Sequence, residues 1–95
     1  MMKITEITPD EAKTLIAQDG ILILDARRPS NYVFYVTENG KPVKFQKENL
    51  DRNYAGSFER ALCFCWPDRG YRETAMILAK MGVKEVFAVR GAPTF

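Results

Sequence analysis

A cysteine followed by a short polar loop and the start of a helix is the feature of this sequence best suited to chemistry. The stretch from Cys65 to Arg72 reads C-W-P-D-R-G-Y-R and follows the apolar run Ala61–Cys65. We predict that this run is a buried strand, with a helix starting near Gly70. Loop N–H groups and the positive end of a helix bind anions and lower the pKa of a cysteine placed there. Cys65 is therefore the candidate nucleophile. The residues expected to form the active loop around it are Trp66, Pro67, Asp68, Arg69, Gly70, Tyr71 and Arg72.

Both cysteines have a second interpretation, because free cysteine is usually a small buried hydrophobic residue. This interpretation is favoured for Cys63, which lies inside the apolar run, whereas the position of Cys65 at the end of the strand favours a functional role. Arg69 and Arg72 flank the same turn. They are placed either to bind an anionic substrate or to lie as solvated charges on the surface.

The composition excludes several kinds of site. The chain has 95 residues and no histidine, so it has no Ser-His-Asp triad, Cys-His pair or two-histidine zinc motif of its own. A disulfide between Cys63 and Cys65 would be strained, and two thiols do not complete a structural zinc site. We expect free thiols, no metal, no cofactor and one domain over residues 1–95.

Charge and hydropathy bear on partners and location. Fourteen Lys and Arg against twelve Asp and Glu leave a net charge of +2, too small an excess to indicate nucleic-acid binding without clustering. The longest apolar runs, 32–36 and 61–66, are too short to cross a bilayer, and the first residues carry no apolar signal core. Because free thiols fit a reducing compartment, we expect a cytoplasmic protein without nucleic-acid or membrane partners.

The first third of the chain predicts a strand, a helix and a second strand. Lys3–Ile7 alternates polar and apolar residues, and Thr8–Glu11 has the order of a capping box with proline at the first helical position. Gly20 is placed to end the helix. The continuous apolar run Ile21–Leu24 before Asp25 favours a strand covered on both faces, as in parallel sheets.

The middle of the chain predicts a hairpin over residues 32–45. Tyr32–Val36 is rich in strand formers, Asn39-Gly40 is a strong turn signal, and Val43–Phe45 follows it. Pro42 weakens the returning strand or confines it to a sheet edge. The polar residues 46–57 give only a weak indication of a helical turn around Glu48–Asn53.

The last third predicts a buried strand over Ala61–Cys65, a helix over about 70–81 ended by Gly82, and a strand over Val86–Val89. Strands alternating with helices indicate an α/β fold with a mostly parallel central sheet and helices on both faces.

The sequence resembles the rhodanese-like domain family in its single-domain form. Ile7–Ala12 is similar to the family's opening I-T-P-E-E-A, and Asp25–Tyr32 to its D-V-R-x-P-x-E-Y. Cys65–Val83 aligns without gaps with the active-site cysteine, its loop and the helix ending in L-G-F. Val86–Gly91 resembles the closing V-x-x-L-x-G-G. The resemblance covers most of the chain outside residues 33–57.

The resemblance implies a sulfurtransferase. By it, Cys65 would take a sulfane sulfur from a small anionic donor such as thiosulfate, or from a protein persulfide, and pass it to cyanide or a protein thiol. The loop at residues 66–70 would cradle that sulfur with backbone N–H groups. Asp25 and Arg27 would support the pocket from a neighbouring strand end, as an ion pair.

Several residues depart from the family pattern. The G-H-I-P-G-A motif after the tyrosine is missing, and the predicted hairpin takes its place. Asp68 stands where the loop usually has its central glycine, and Gly70 where it usually has arginine. Pro67 removes one N–H from the cradle. Asp68 raises the pKa of a nearby thiol unless an arginine offsets it, although it also suits the N-cap of the following helix.

Two other functions compete with sulfur transfer. One is a catalytically weak rhodanese-fold module for binding or regulation, with a protein partner at the 32–45 hairpin. Tyr32, Phe34 and Tyr35 would supply interface aromatics there, unless they simply pack in the sheet. The other is phosphatase or arsenate-reductase chemistry, because Cys63 and Arg69 have the required spacing of a cysteine, five residues and an arginine. That assignment puts the nucleophile inside the strand, which disfavours it.

Overall fold

A mixed six-stranded sheet with two helices forms the core of the computed structural model, which describes residues 3–27, 32–45, 58–65 and 71–91. The elements are β1 (Lys3–Ile7), α1 (Pro9–Ile16), β2 (Leu22–Asp25), β3 (Val33–Glu38), β4 (Lys41–Phe45), β5 (Arg60–Cys65), α2 (Tyr71–Lys80) and β6 (Glu85–Arg90).

The strands follow the order β1-β6-β5-β2-β3-β4 across the sheet. β1, β6, β5 and β2 are parallel to one another, and β3 and β4 are added in antiparallel pairings. The α/β class is therefore confirmed, with an antiparallel hairpin extending the parallel part. The connection through α1 runs from β1 towards β2, and the connection through α2 runs the opposite way, from β5 to β6.

Two clusters of buried side chains lie on the two faces, and each includes one helix. The α2 face contains Leu22, Leu24, Phe34, Val36, Phe58, Ala61, Cys63, Leu78, Val83 and Val86. The α1 face contains Ala12, Ile16, Ile21, Ile23, Leu62, Phe64 and Val89. Alternate residues of β2 and β5 belong to different clusters, as side chains of a strand point to opposite faces in turn. These central strands are covered on both sides, which explains their continuous apolar sequences.

Helix α1 begins with the predicted capping box. The Glu11 amide donates to Thr8 Oγ1 at 3.2 Å, and the Thr8 amide donates to Glu11 Oε1 at 3.1 Å. The helix ends at Ile16, earlier than a stop at Gly20 predicts. The residues after it are tied to β3 instead: Gln18 accepts a hydrogen bond from the Thr37 hydroxyl, and the Gly20 amide donates to the Thr37 carbonyl at 3.0 Å.

The predicted hairpin is confirmed as β3 and β4. Its two turn residues, Asn39 and Gly40, have φ of 54° and 74°, the left-handed values that a two-residue hairpin turn requires. Pro42 lies in β4 at the edge of the sheet, where a missing N–H is tolerated. Phe34 is buried in the core, so packing accounts for this aromatic residue of the hairpin.

The C-terminal elements match their predicted positions within a residue or two. α2 begins at Tyr71 and ends at Lys80, and Gly82 has a φ of 89° in the turn that follows. The weak helical prediction for 48–53 lies outside the described residues. In the part of the chain that the structure describes, neither helix has the length and apolar character needed to cross a membrane.

Candidate active site

The carboxyl ends of the four parallel strands lie at the same end of the sheet, and the candidate nucleophile lies there. β1 ends at Ile7, β2 at Asp25, β5 at Cys65 and β6 at Arg90. Ligands of open α/β sheets bind outside this end, because the loops and helix starts that follow the strands converge on it. The prediction that Cys65 ends a buried strand is confirmed.

Cys65 is a free thiol on the α2 face of the sheet and is only 3% exposed. Its Sγ donates a long hydrogen bond of 3.7 Å to the Val89 carbonyl on β6. The backbone carbonyl of Cys65 accepts a 2.9 Å bond from the Gly91 amide. These two bonds hold Cys65 against β6 and Gly91, and its side chain is buried.

Cys63 lies two residues earlier in β5, so it shares a face with Cys65, and it is fully buried. Each thiol shifts the pKa of the other. The hydroxyl of Thr74, on the first turns of α2, lowers the pKa of Cys63. Cys63 is thus packed in the core, as its place in the apolar run predicts. The effect of Thr74 was not foreseen, because it depends on where α2 lies over the strand.

The pKa values of the two thiols shift in opposite directions. Cys63 lowers the pKa of Cys65, and the positive charge of Arg90 lowers it further, while burial and Glu6 oppose the shift. The pKa of Cys63 is raised, first by the neighbouring Cys65 thiol and second because burial disfavours a charged sulfur. Cys65 is therefore the thiol that ionises, and Cys63 is the one that stays protonated.

Arg90 and Glu6 form an ion pair beside the cysteine, with Nε and Oε1 2.9 Å apart and both side chains about half exposed. Arg90 is the register partner of Cys65 on the neighbouring strand, so both side chains leave the sheet on the same face. The sequence prediction missed both charged residues. Nothing in the local sequence around Glu6 or Arg90 indicates that β1 and β6 are neighbours.

Asp25 and Arg27 form the ion pair that the family resemblance implies. Arg27 Nε donates to Asp25 Oδ1 and Nη2 donates to Oδ2, each at 2.9 Å, and the Arg27 amide adds a 3.3 Å bond to Oδ1. The hydrogen bonds to Asp25 raise the pKa of Arg27. This two-point contact fixes the arginine at the carboxyl end of β2, which is the end of the sheet where Cys65 lies.

Most of the predicted active loop lies outside the residues that the structure describes. Residues 66–70, namely Trp66, Pro67, Asp68, Arg69 and Gly70, lie outside the described ranges. Tyr71 and Arg72 form the start of α2, and the description does not extend to their side chains. The amide cradle expected around Cys65 therefore stays a prediction. The contacts that lower its pKa in the described residues are with a thiol and an arginine instead.

A cavity of about 480 Å³ lies near the amino ends of β2 and β5, at the opposite end of these strands from Cys65. Its lining residues are Asp19, Gly20, Val36, Thr37, Glu38, Asn39 and Phe58. It contains carboxylates and no thiol, so we place the candidate chemistry at Cys65. Within residues 3–27, 32–45, 58–65 and 71–91, no three cysteine or carboxylate side chains cluster as metal ligands would.

Comparison of the chain with protein-family models, with curated proteins and with solved structures gives no match.

Proposed function

We propose that this protein is a rhodanese-like sulfurtransferase or persulfide carrier that works through Cys65. In the first half-reaction the Cys65 thiolate attacks the outer, sulfane sulfur of thiosulfate. The sulfur–sulfur bond of the donor breaks, its electron pair leaves with sulfite, and Cys65 carries a persulfide. In the second, a thiolate or cyanide attacks the outer sulfur of the persulfide, and the electron pair returns to Cys65.

The observation that carries this proposal is the difference between the two thiols. Cys65 is at the carboxyl end of a parallel strand and has its pKa lowered by a neighbouring donor and an arginine. The thiolate is the nucleophilic form of cysteine, so a lowered pKa increases the reactive fraction near neutral pH.

The proposal of a rhodanese-like fold has support of its own. The capping box at Thr8–Glu11 and the Asp25–Arg27 ion pair both fall in the stretches that resemble the family. The order strand, cysteine and helix around Cys65 also agrees with the family pattern.

Intact mass spectrometry tests the function directly. Reduced protein mixed with thiosulfate should gain one sulfur atom, and a later addition of cyanide should remove it. Cys65→Ser should gain none, whereas the matched variant Cys63→Ser should still gain one. A wild-type protein that gains no sulfur from thiosulfate, nor from a persulfide donor such as glutathione persulfide, would contradict the proposal.

The exposed edge of the hairpin is the surface that the binding-module alternative would use. β4 is an edge strand with Val43 44% exposed between two exposed lysines, Lys41 and Lys44. Edge strands with lysines and proline are built to resist pairing with another strand, which weakens this alternative. It becomes the better explanation if Cys65 gains no sulfur and alkylates no faster than free cysteine.

The phosphatase alternative has less support. It requires Cys63 as the nucleophile, and Cys63 is fully buried with its pKa raised. A thiol that stays protonated is a poor nucleophile. Turnover of an aryl phosphate that Cys63→Ser abolishes would reverse this conclusion.

A further inference from the structure

We propose that Arg90 binds the anionic end of the sulfur donor and holds the donor beside Cys65, so that the site prefers reactants that carry a negative charge. This inference rests on the proposed function, because it names the class of substrate for the same cysteine. It gives a substrate-binding role to a residue of β6 that the sequence prediction missed.

The first step of the argument is placement. Arg90 and Cys65 are register partners at the carboxyl ends of neighbouring parallel strands, so their backbones are about 5 Å apart and their side chains leave the same face of the sheet. Cys65 is buried, whereas the side chain of Arg90 is 53% exposed. Arg90 is therefore the exposed neighbour of the buried thiol on this face, and a dissolved anion can reach it.

The second step is the availability of the guanidinium group. Glu6 on β1 contacts its Nε side, with Nε and Oε1 2.9 Å apart. In the part of the chain that the structure describes, no hydrogen bond joins the two Nη atoms of Arg90 to another group. Guanidinium N–H groups bind the oxygens of an anion in pairs, and an exposed ion pair such as Arg90–Glu6 is weak. The Nη atoms therefore remain for an oxyanion.

A second arginine described at this end of the sheet is less suited to the role. Arg27 donates from both Nε and Nη2 to Asp25, at 2.9 Å each. Asp25 is the register partner of Phe64, which belongs to the α1 face, whereas Cys65 is on the α2 face. Arg27 is thus held by a carboxylate of the opposite face, and Arg90 is the better placed of the two for a ligand of Cys65.

The third step is the consequence for sulfur transfer. Thiosulfate is a dianion, and its sulfonate oxygens bound at Arg90 leave its outer sulfur free to meet Cys65. When the Cys65 thiolate attacks, the sulfur–sulfur bond breaks and sulfite leaves with the electron pair. Negative charge thus moves from Cys65 to the group held by Arg90. A positive group fixed where charge develops stabilises the transition state. The same charge lowers the pKa of Cys65, in agreement with its place near the sulfur.

The experiment compares two alkylating reagents of similar size, the anion iodoacetate and the neutral iodoacetamide, in about 0.1 M salt. Both react with the Cys65 thiolate, so the ratio of their rates cancels any change in the ionised fraction. In Arg90→Gln the ratio of the iodoacetate rate to the iodoacetamide rate should fall about two- to fivefold. Glu6→Gln removes a competing carboxylate and should raise this ratio. Labelling is assigned to Cys65 by mass, with Cys65→Ser as the blank.

Arg60 provides the matched control, since it is an exposed arginine at the amino end of β5, the strand that ends in Cys65. The five residue steps between them span about 17 Å of strand, which is more than the Debye length of about 10 Å in 0.1 M salt. Arg60→Gln removes the same charge as Arg90→Gln and should leave the ratio unchanged. Sulfur uptake from thiosulfate, relative to the iodoacetamide rate, should fall in Arg90→Gln at least as much, because thiosulfate carries two charges.

Three results would overturn the inference. The first is an equal ratio in wild type and Arg90→Gln. The second is a fall in Arg60→Gln as large as in Arg90→Gln, since net charge would then account for the preference. The third is a Cys65 that neither reagent labels, because no solute would then reach the thiol beside Arg90.

Failure of this inference is distinct from failure of the proposed function, because alkylation needs no sulfur donor. A protein that gains no sulfur but keeps the charge preference contradicts sulfur transfer alone. An Arg90→Gln variant that gains sulfur from thiosulfate as readily as wild type, relative to its iodoacetamide rate, contradicts the role of Arg90 alone.

Discussion

Cys65 and Arg90 are register partners at the carboxyl ends of β5 and β6, and the positive charge of Arg90 lowers the pKa of the Cys65 thiol. Glu6 holds Arg90 from the next strand at 2.9 Å and partly offsets its charge. Three adjacent strands thus contribute Glu6, Arg90 and Cys65 to the same face, and the two charged side chains act on the pKa of Cys65 in addition to Cys63.

Replacing Arg90 by glutamine should raise the pKa of Cys65. Because Arg90 is about half exposed and screened by solvent, we expect the alkylation rate at pH 7 to fall only about two- to fivefold at low ionic strength. Raising the salt to ~0.5 M should shrink the difference between the two proteins, since it screens exposed charges. Glu6→Gln is the matched control and should increase the rate. Equal rates for wild type and Arg90→Gln at low salt would refute the assignment.

The raised pKa of Cys63 should make the folded protein sensitive to alkaline pH. In the folded state Cys63 keeps its proton, whereas in the unfolded chain it ionises around the ordinary value of 9.0. Stability from this group is therefore fully present below 9.0 and is lost as the pH rises above it. The slope is about 1.4 kcal/mol of unfolding free energy per pH unit. Cys65 has the opposite shift, so it adds stability as the pH rises towards 9.0 and no slope beyond it.

Urea unfolding of wild type and Cys63→Ser at pH values from about 8 to about 10.5 isolates this effect, because both proteins share all other side chains that titrate in this range. The stability of wild type relative to Cys63→Ser should be constant near pH 8 and fall above pH 9. Two stability curves that stay parallel over the whole range would show that Cys63 ionises alike in both states.

Leu78 should be the residue of α2 on which docking of the helix most depends. It is fully buried against the sheet, whereas Met76, two residues earlier, is 59% exposed. Leu78→Ala removes methyl groups from a packed core and should cost about 2–5 kcal/mol of unfolding free energy. Met76→Ala, the matched control on the same helix, should change stability by less than about 0.5 kcal/mol. Similar losses in both variants, measured by urea unfolding, would contradict the packing described for α2.

Thr37 should be the polar residue on which the turn after α1 depends. Its hydroxyl accepts a hydrogen bond from the Ile21 amide at 2.8 Å and donates one to the Gln18 carbonyl at 2.5 Å. Thr37→Val keeps the shape but leaves both backbone groups without this partner, and should cost about 2–4 kcal/mol. Thr37→Ser keeps the hydroxyl and should cost about 1 kcal/mol, the value of one methyl group.

Hydrogen exchange provides a local readout of the same contact. The Ile21 amide should exchange faster in Thr37→Val than in Thr37→Ser, beyond the change that the global stabilities explain. Equal protection of Ile21 in both variants would show that the hydroxyl is dispensable.

Features that depend on neighbours in the chain were predictable from the sequence. The capping box of α1 needs only Thr8 and Glu11, and the hairpin turn needs only two residues that accept positive φ at 39 and 40. Burial of β2 and β5 follows from their continuous apolar runs, and the position of Cys65 follows from where the second run ends. Even so, α1 ends before Gly20, because Thr37 on β3 forms hydrogen bonds with Gln18 and Gly20 in the turn that follows the helix.

Only the tertiary structure decided what surrounds Cys65. β6 lies between β1 and β5, which brings Glu6 and Arg90 next to Cys65. Helix α2 lies over the face that carries both cysteines, which brings Thr74 to Cys63. Hydrophobic patterns specify which face of an element is buried, but many strand orders satisfy the same pattern. The type of chemistry was therefore present in the sequence at Cys65, whereas the groups that tune its thiol were determined by how the strands and α2 pack.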